Sequence, residues 1–441
     1  MVKIIDIETF DIRFPTSEDL DGSDAMNNAP DYSAAYIILK TNVTGLEGHG
    51  HTFTIGRGNE ICVKAIESLG DMVKGKDLNQ ITSNWLEFYY SIVNDSQLRW
   101  IGPEKGVIHL AAAALFNSLW DLYAKSRKKP LWKLICEMPP KDLIELVDFS
   151  YIEDAITKEE ALGILIKNFD TRNKRINVIN EKGYPAYTTS AGWLGYSASK
   201  LESLCKKVKK ENWKYVKFKV GANLEDDISR LSMARKILGD DIIIMIDANQ
   251  VWGVDQAIDW INQLKRFNPW FIEEPTSPDD ILGHARIRRA IQPIKVATGE
   301  HCHNRIMFKQ YFQSKAIDIC QLDSCRLASI NEILAVQLLA AKFGVPICPH
   351  AGGVALCEYV QHLAIIDFVC ISANLEGRVV EYIDHLHEYF KYPCAIKDGA
   401  YVLPNSHGYS ATIKKEAIEI YKYPNGSFWI QNIEKLLKRR V

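Results

Sequence analysis

Residues 215–220 read "YVKFKV", an apolar strand pattern that carries two lysines. Strand side chains alternate, so Lys217 and Lys219 share one face while Val216, Phe218 and Val220 share the other. Taken alone, such a strand lays its lysines in water, because lysine is mostly exposed. The alternative is a pair of cations aimed into a site, and the neighbouring stretches favour it. Short apolar runs recur through the second half of the chain: "YPAYTT" (184–189), "IIIMID" (242–247), "WFIEE" (270–274), "IKVATGE" (294–300), "IDICQLD" (317–323), "VPICPH" (345–350) and "RVVEY" (378–382). Helical patterns such as "LEDDISRLSMARKIL" and "INEILAVQLLAAKFG" separate them. Near-continuous apolar strands alternating with helices predict an α/β fold with a parallel sheet, and eight such strands predict a β/α barrel. An open doubly wound sheet is the structural alternative; it usually carries a Gly-rich phosphate loop after its first strand, and none is present.

The strands end alike. Asp247, Glu273, Glu300, Asp323 and His350 each close a run, and from Lys219 onward they follow at steps of 23–28 residues, about one β/α unit. The C-terminal ends of barrel strands form the active-site face. One polar residue after a strand is loop polarity; five in succession plus the lysine pair point to a site. Asp247, Glu273 and Glu300 come from adjacent strands, and three carboxylates so close require a cation. Oxygen-only ligation suits Mg²⁺. In "WFIEE" Glu273 and Glu274 compete for the ligand role. Pairing with the other strand ends favours Glu273, with Glu274 turned to neighbouring groups. Lys219, beside a second cation and near the metal, is expected to have a lowered pKa and to act as a general base. Lys217 is expected to stay charged and hold a carboxylate. Asp323 is placed to orient His350 and raise its pKa, favouring a protonated acid. A metal, a lysine base and a histidine acid together suggest abstraction of a proton next to a carboxylate, with Mg²⁺ stabilising the enediolate.

Composition sets the frame. The 441 residues are 47% hydrophobic and 24% charged, with net charge −2. That is an ordinary globular balance, and it gives no sign of nucleic acid or an anionic membrane as a partner. No uninterrupted apolar run approaches a membrane span, and "MVKIIDIETFDIRF" alternates like a strand, unlike a signal peptide. A cytoplasmic protein is expected, with an organelle left open. The ten cysteines contain no C-x-x-C pair and read as reduced, buried hydrophobes. "HCH" (301–303) has no second Cys/His pair at ligand spacing, so no zinc site is expected there.

Residues 1–14 and 34–41 read as antiparallel strands, and "GVIHLAAAALFNSLWDLYAKS" (106–126) as an amphipathic helix. Residues 1–145 are accordingly an α+β domain and 146–390 the barrel, with a charged helical segment at 151–183. Residues 391–441 are a C-terminal segment expected to pack back on the first domain. Its end, "KLLKRR", reads as a solvated helix terminus. The polar stretch 15–33 is long for a loop in a compact domain, and such loops are often functional.

"KFK" (217–219), "DAN" (247–249), "EEP" (273–275), "TGE" (298–300) and the Asp323–His350 pair together resemble the mandelate racemase branch of the enolase superfamily. Sites of that superfamily are known to combine a Lys or His base with Mg²⁺, so the chemistry above is not independent of the resemblance. "FPTS", "DAMNNAPDYSAAY", "LRWIGPEKGV", "YPAYTTSAGWLGYS", "EEPTSPDDILGHA", "QLDSCRL", "CPHAGGV" and "EYIDHLHEYF" are similar, within that branch, to the L-fuconate dehydratases. The resemblance implies a modified TIM barrel of (β/α)7β type with an N-terminal capping domain and a homo-oligomer. It also implies a Mg²⁺-dependent loss of water converting L-fuconate to 2-keto-3-deoxy-L-fuconate. By the same resemblance Lys219 takes the C2 proton and His350 assists departure of the 3-hydroxyl. Lys217, Asn249 and Glu381 contact the acid-sugar substrate, with Glu376 competing for the eighth-strand role. Asp24 and Tyr32 touch the sugar from the capping loop. A racemase or epimerase, a dehydratase of another acid sugar, and a non-catalytic binding or regulatory protein on a retained barrel are the competing expectations.

Overall fold

Alternation in the first residues produces β1 (Ile4–Arg13), which pairs antiparallel with β2 (Ser33–Thr41). The computed structural model describes residues 1–432, so "KLLKRR" lies outside the described residues. A third strand, β3 (Glu47–Thr54), completes the sheet beside β2. Its sequence, "EGHGHTFT", has little strand propensity, and sequence reasoning passed over it. The glycines are there for packing. A Cβ on Gly50 would collide with Ala114 O and Ser118 N, and one on Gly48 with Ser118 O. Both belong to the helix Gly106–Ser126, which lies directly on the sheet. That helix is long and apolar enough to cross a bilayer, yet most of it is buried inside the protein.

The repeat begins at β4 (Tyr184–Thr188) and continues through β5 (Tyr215–Lys219), β6 (Ile243–Asp247), β7 (Phe271–Glu273), β8 (Lys295–Thr298) and β9 (Ile319–Cys320). The pairings are parallel and in sequence order. The seventh run is reduced to a single bridge between Cys320 and Ile347. The eighth, β10 (Val380–Tyr382), pairs with β4 and closes the barrel. Several crossover helices have ordinary end signals. Leu224–Leu238, for example, starts on the Asn223 side chain, carries three acidic residues in its first turn, and stops at Gly239 with φ +75°. Before β4 the charged segment folds as two helices, Lys158–Phe169 and Arg172–Lys182.

The barrel interior is a small apolar cluster of Tyr187, Met245, Phe271, Ala297, Ile319, Cys348 and Val379. At β5 the corresponding inward side chain is Lys217, whose Nζ lies 5.5 Å from the centroid of the Tyr187 ring. The lysines of "YVKFKV" therefore face the barrel axis, not water: Lys217 is 0% and Lys219 5% exposed.

After β10 the chain forms a hairpin of β11 (Ile396–Lys397) and β12 (Ala400–Tyr401), and β12 runs antiparallel to β4. It then crosses to the first sheet. Tyr423 N donates to Asp11 O at 2.7 Å, Ile413 N donates to the Tyr36 hydroxyl, and Phe14 packs against Tyr389 and Tyr421. All ten cysteines are buried and free.

Candidate active site

Strand register puts the ionised groups at one level. Lys219 is paired with Asp247, and Asp247 with Glu273. Oxygens of Asp247, Glu273 and Glu300 lie within 4.8 Å of one another, and all three side chains are buried. Asp247 Oδ2 accepts from Lys219 Nζ at 2.6 Å, and Asp247 Oδ1 from Asn249 N at 2.9 Å. Both oxygens of Glu273 accept from Lys217 Nζ, at 2.7 and 2.8 Å, and Gln321 Nε2 donates to Glu273 at 2.5 Å. Burial pushes Glu273 well above the usual carboxylate range, and Asp247 adds to this while Lys217 opposes it. Glu300 Oε2 is buried without a hydrogen bond, although His350 Nε2 stands 3.3 Å away. An all-oxygen donor set with an orphaned buried oxygen and mutual repulsion fits a hard divalent cation. Glu274 with Glu300 and His301 is a second grouping at ligand distance. Glu274, however, is already held by Gln250 Nε2 at 2.9–3.0 Å and by His301 at 3.0 Å.

Above the triad is a cavity of ≈ 320 Å³. Lys219, Asn249, Glu300, Asp323 and His350 line it, as do Asp24 and Tyr32 from the long loop before β2. His350 Nδ1 is 2.8 Å from Asp323 Oδ2. Burial alone would lower the imidazole, but Glu300 and Asp323 outweigh it and hold His350 at about 10. Gly352 N donates to His350 Nε2 at 3.2 Å. Lys219 Nζ also donates to Asn249 Oδ1 at 2.9 Å, and it lies 5.4 Å from the centre of the Trp193 ring. Gly22, with φ +87°, lays the capping loop flat on the Tyr32 ring, where a Cβ would not fit. The Asp24 carboxylate closes its own turn by accepting from Met26 N and Asn27 N, and burial raises its pKa.

Residues 200–417 match the family model "Enolase C-terminal domain-like", and residues 25–136 match "Mandelate racemase / muconate lactonizing enzyme, N-terminal domain". The mitochondrial enolase superfamily member 1 of Xenopus laevis is 52% identical over 430 residues, covering 97% of each chain. The chain belongs to the mandelate racemase branch of the enolase superfamily. L-galactonate dehydratase of Hypocrea jecorina is also 52% identical, over 99% of this chain and 98% of its own length. The crystal structure of human mitochondrial enolase superfamily member 1 superposes with a TM-score of 0.96 at 50% identity, covering 99% of this chain and 98% of that one.

In this enolase-superfamily site several expectations change. Lys219 is not lowered. Burial works in that direction, but Asp247, Asp24 and Glu300 outweigh burial and the neighbouring Lys217, so its ammonium is held above the usual lysine range. Lys217 and Glu381 do not line the cavity. Lys217 reaches Glu273, Glu381 at 2.9 Å and Asp247 at 3.3 Å, beneath the floor. Glu381 accepts from Thr189 Oγ1 at 2.6 Å and from Ala351 N at 2.8 Å, so it props the His350 loop from below. It sits on β10, whereas Glu376 is exposed ahead of that strand. Sequence reasoning missed Gln321, Trp193, His301 and Arg326, the last of which lines the cavity and donates through Nε to Glu300 O at 3.1 Å. Gln321 lies two residues before Asp323, on the same strand face, so period-2 alternation marks it. Trp193 follows the first barrel strand, where a βα loop reaches the active-site face. His301 directly follows Glu300 but was weighed only as a zinc ligand.

Proposed function

We propose that the protein is a Mg²⁺-dependent hydro-lyase that removes water from an aldonate of L-galacto configuration, L-fuconate first among them. L-Fuconate is 6-deoxy-L-galactonate, so it shares C2 to C5 stereochemistry with the substrate named for the Hypocrea jecorina relative. Met26, Phe53, Ile55 and Leu110 in the cavity lining suit a methyl at C6 over a hydroxymethyl. The observation that carries the reading is Lys219, His350 and Glu300 lining one cavity, with Glu300 grouped at ligand distance with Asp247 and Glu273. His350, whose imidazole Glu300 and Asp323 hold above its ordinary range, is the group placed to act as the acid that an outgoing hydroxyl needs.

Asp247, Glu273 and Glu300 would hold Mg²⁺, which when bound supplies positive charge to stabilise the negative charge spreading into the substrate carboxylate. Lys219 takes the C2 proton with its neutral amine, a form that Lys217 favours and Asp247 resists. Electrons from the C2–H bond form the C2–C3 double bond, the C3–O bond breaks, and His350 Nε2 delivers a proton to the departing oxygen. The enol so formed tautomerises to the 2-keto-3-deoxy acid. Asp323 keeps Nδ1 occupied, so that Nε2 is the nitrogen that works. Asn249, Asp24 and Tyr32 hold the sugar, and Glu381 and Lys217 support the site from beneath.

A panel of acid sugars with and without Mg²⁺, read as 2-keto-3-deoxy product, tests this. Turnover of L-fuconate and L-galactonate above their stereoisomers is expected. Turnover of a different configuration would discard the substrate assignment. C2 deuterium exchange without keto product would replace it with racemisation or epimerisation.

A further inference from the structure

A second set of convergent donors lies outside the cavity. Cys357 and Glu358 open the helix Leu356–Ile366, just past the His350 loop. His387 begins the single turn His387–Tyr389 after β10, and Cys394 precedes β11. Three segments distant in sequence thus meet at one point. Cys357 Sγ, His387 Nδ1 and Cys394 Sγ all lie within 4.8 Å of one another. Cys394 Sγ is 3.7 Å from His387 Nδ1, close to the spacing of about 3.6 Å that a tetrahedral zinc gives to a thiolate sulfur and an imidazole nitrogen. Glu358 Oε1 is 2.8 Å from the same Nδ1 and accepts from Cys394 N at 3.2 Å.

The imidazole is oriented for this role. His387 Nε2 is 2.7 Å from Ile383 O, and a carbonyl only accepts, so Nε2 carries a proton. Nδ1 faces the Glu358 carboxylate at 2.8 Å and the Cys394 thiol at 3.7 Å, and the bond at Nε2 fixes the ring as a second hydrogen bond fixes ligating histidines. Tyr382 stacks flat on the ring, 5.1 Å between centroids at 5°, which fixes its plane. Cys357, Glu358 and Cys394 are buried, and the His387 side chain is 17% exposed. Two sulfurs and one nitrogen converge, softer than the all-oxygen triad, and the Glu358 carboxylate lies against the same imidazole as the candidate fourth donor.

We propose that Cys357, Glu358, His387 and Cys394 bind a structural zinc ion. Zn²⁺ displaces the two thiol protons and the proton now shared between Nδ1 and Glu358, and these are released to solvent. The site fastens the returning tail to the barrel immediately before β11, the hairpin partner of β12. The Tyr401 hydroxyl of β12 donates to the backbone carbonyl of Glu381, so the staple also holds the strand end that supports His350.

The test uses the full chain, stripped of metal and then saturated with Mg²⁺ so that the oxygen triad is filled. Co²⁺ alone is titrated first. A thiolate-to-cobalt charge-transfer band saturating at one ion per chain is expected, displaced by equimolar Zn²⁺, together with a Tm raised by Zn²⁺. The band should vanish in Cys394→Ser and persist in Asp247→Asn. Absence of the band in the wild-type chain overturns the proposal, whatever the variants do. So does a band that survives Cys357→Ser/Cys394→Ser, or a Cys357–Cys394 disulfide whose reduction leaves a protein that takes up no cobalt through sulfur.

Discussion

Replacing Lys217 with methionine separates a lysine that touches substrate from one that holds protein charge. The side chain is 1% exposed and contacts Glu273, Glu381 and Asp247 at 2.7–3.3 Å. Methionine keeps an unbranched chain of similar length, so the change is mainly one of charge. Removing one partner of a buried ion pair costs about 3–5 kcal/mol. The carboxylates can limit that loss by taking up one more proton. Protonating a glutamate at pH 7 costs about 3–4 kcal/mol, which sets the expected destabilisation. The sign follows from the extra proton. A carboxyl whose folded pKa is raised contributes stability below its unfolded value, near 4.3, and that contribution is lost as pH rises. The deficit should therefore shrink by about 1.4 kcal/mol for each pH unit lowered from 7 toward 5. In EDTA at pH 7, Lys217→Met should melt roughly 5 °C below wild type. The gap should narrow at pH 5, and Mg²⁺ should recover part of it by supplying the missing charge. An unchanged Tm across that range, with only KM raised, would refute the reasoning and return Lys217 to direct substrate contact.

Lys219→Ala should lower turnover by about 10²–10⁴-fold or more while Mg²⁺ affinity by calorimetry stays near wild type; near-normal turnover would remove it as the base. Asp323 helps hold the His350 imidazole above its ordinary range, so kcat should fall as pH rises above that range. Asp323→Asn should cut kcat and move the alkaline limb downward, and a limb that stays in place would mean another group is the acid. Gly50→Ala should destabilise the first domain by about 1–3 kcal/mol or more, because the backbone of Gly106–Ser126 would have to withdraw. Chemical denaturation with no change in midpoint would show that the helix can give way.

The barrel and its metal triad were legible because both follow from period. Inward positions alternate along each strand, each β/α unit has similar length, and a strand end falls on the active-site face. The missed strand β3 has no such signal: "EGHGHTFT" is shaped by the helix that presses on it, a contact between residues some 65 apart. The seventh barrel strand read as clearly as the others, yet it pairs through one bridge only. The lowered Lys219 pKa was expected of a site holding Mg²⁺; the carboxylates by themselves hold the ammonium high, because charge effects depend on all neighbours. The adjacent lysine and Asp247 on the next strand were visible in the sequence, whereas the 2.6 Å contact with Asp247 and the approach of Asp24 from another domain were not. Lys217 and Lys219 share a strand face, and period 2 alone does not say which of the two is under the floor.

The capping loop carries a consequence for how such a protein changes over time. The groups that move protons are set on barrel strands, where register fixes them to one another. Met26, Asn27, Pro30, Tyr32 and Ile55, which complete the cavity, come from a separate domain whose backbone makes no strand pairing with the barrel. In the proposed reading most sugar contacts sit on one domain and the proton-moving groups on the other, with Asn249 the sugar contact on the barrel. Exchange of residues 16–32 should alter which sugar acid is accepted, read as a change in relative kcat/KM among stereoisomers, and leave the elimination of water intact. The same division makes the isolated barrel a poor catalyst, since without the loop its Lys219 and His350 would face bulk water.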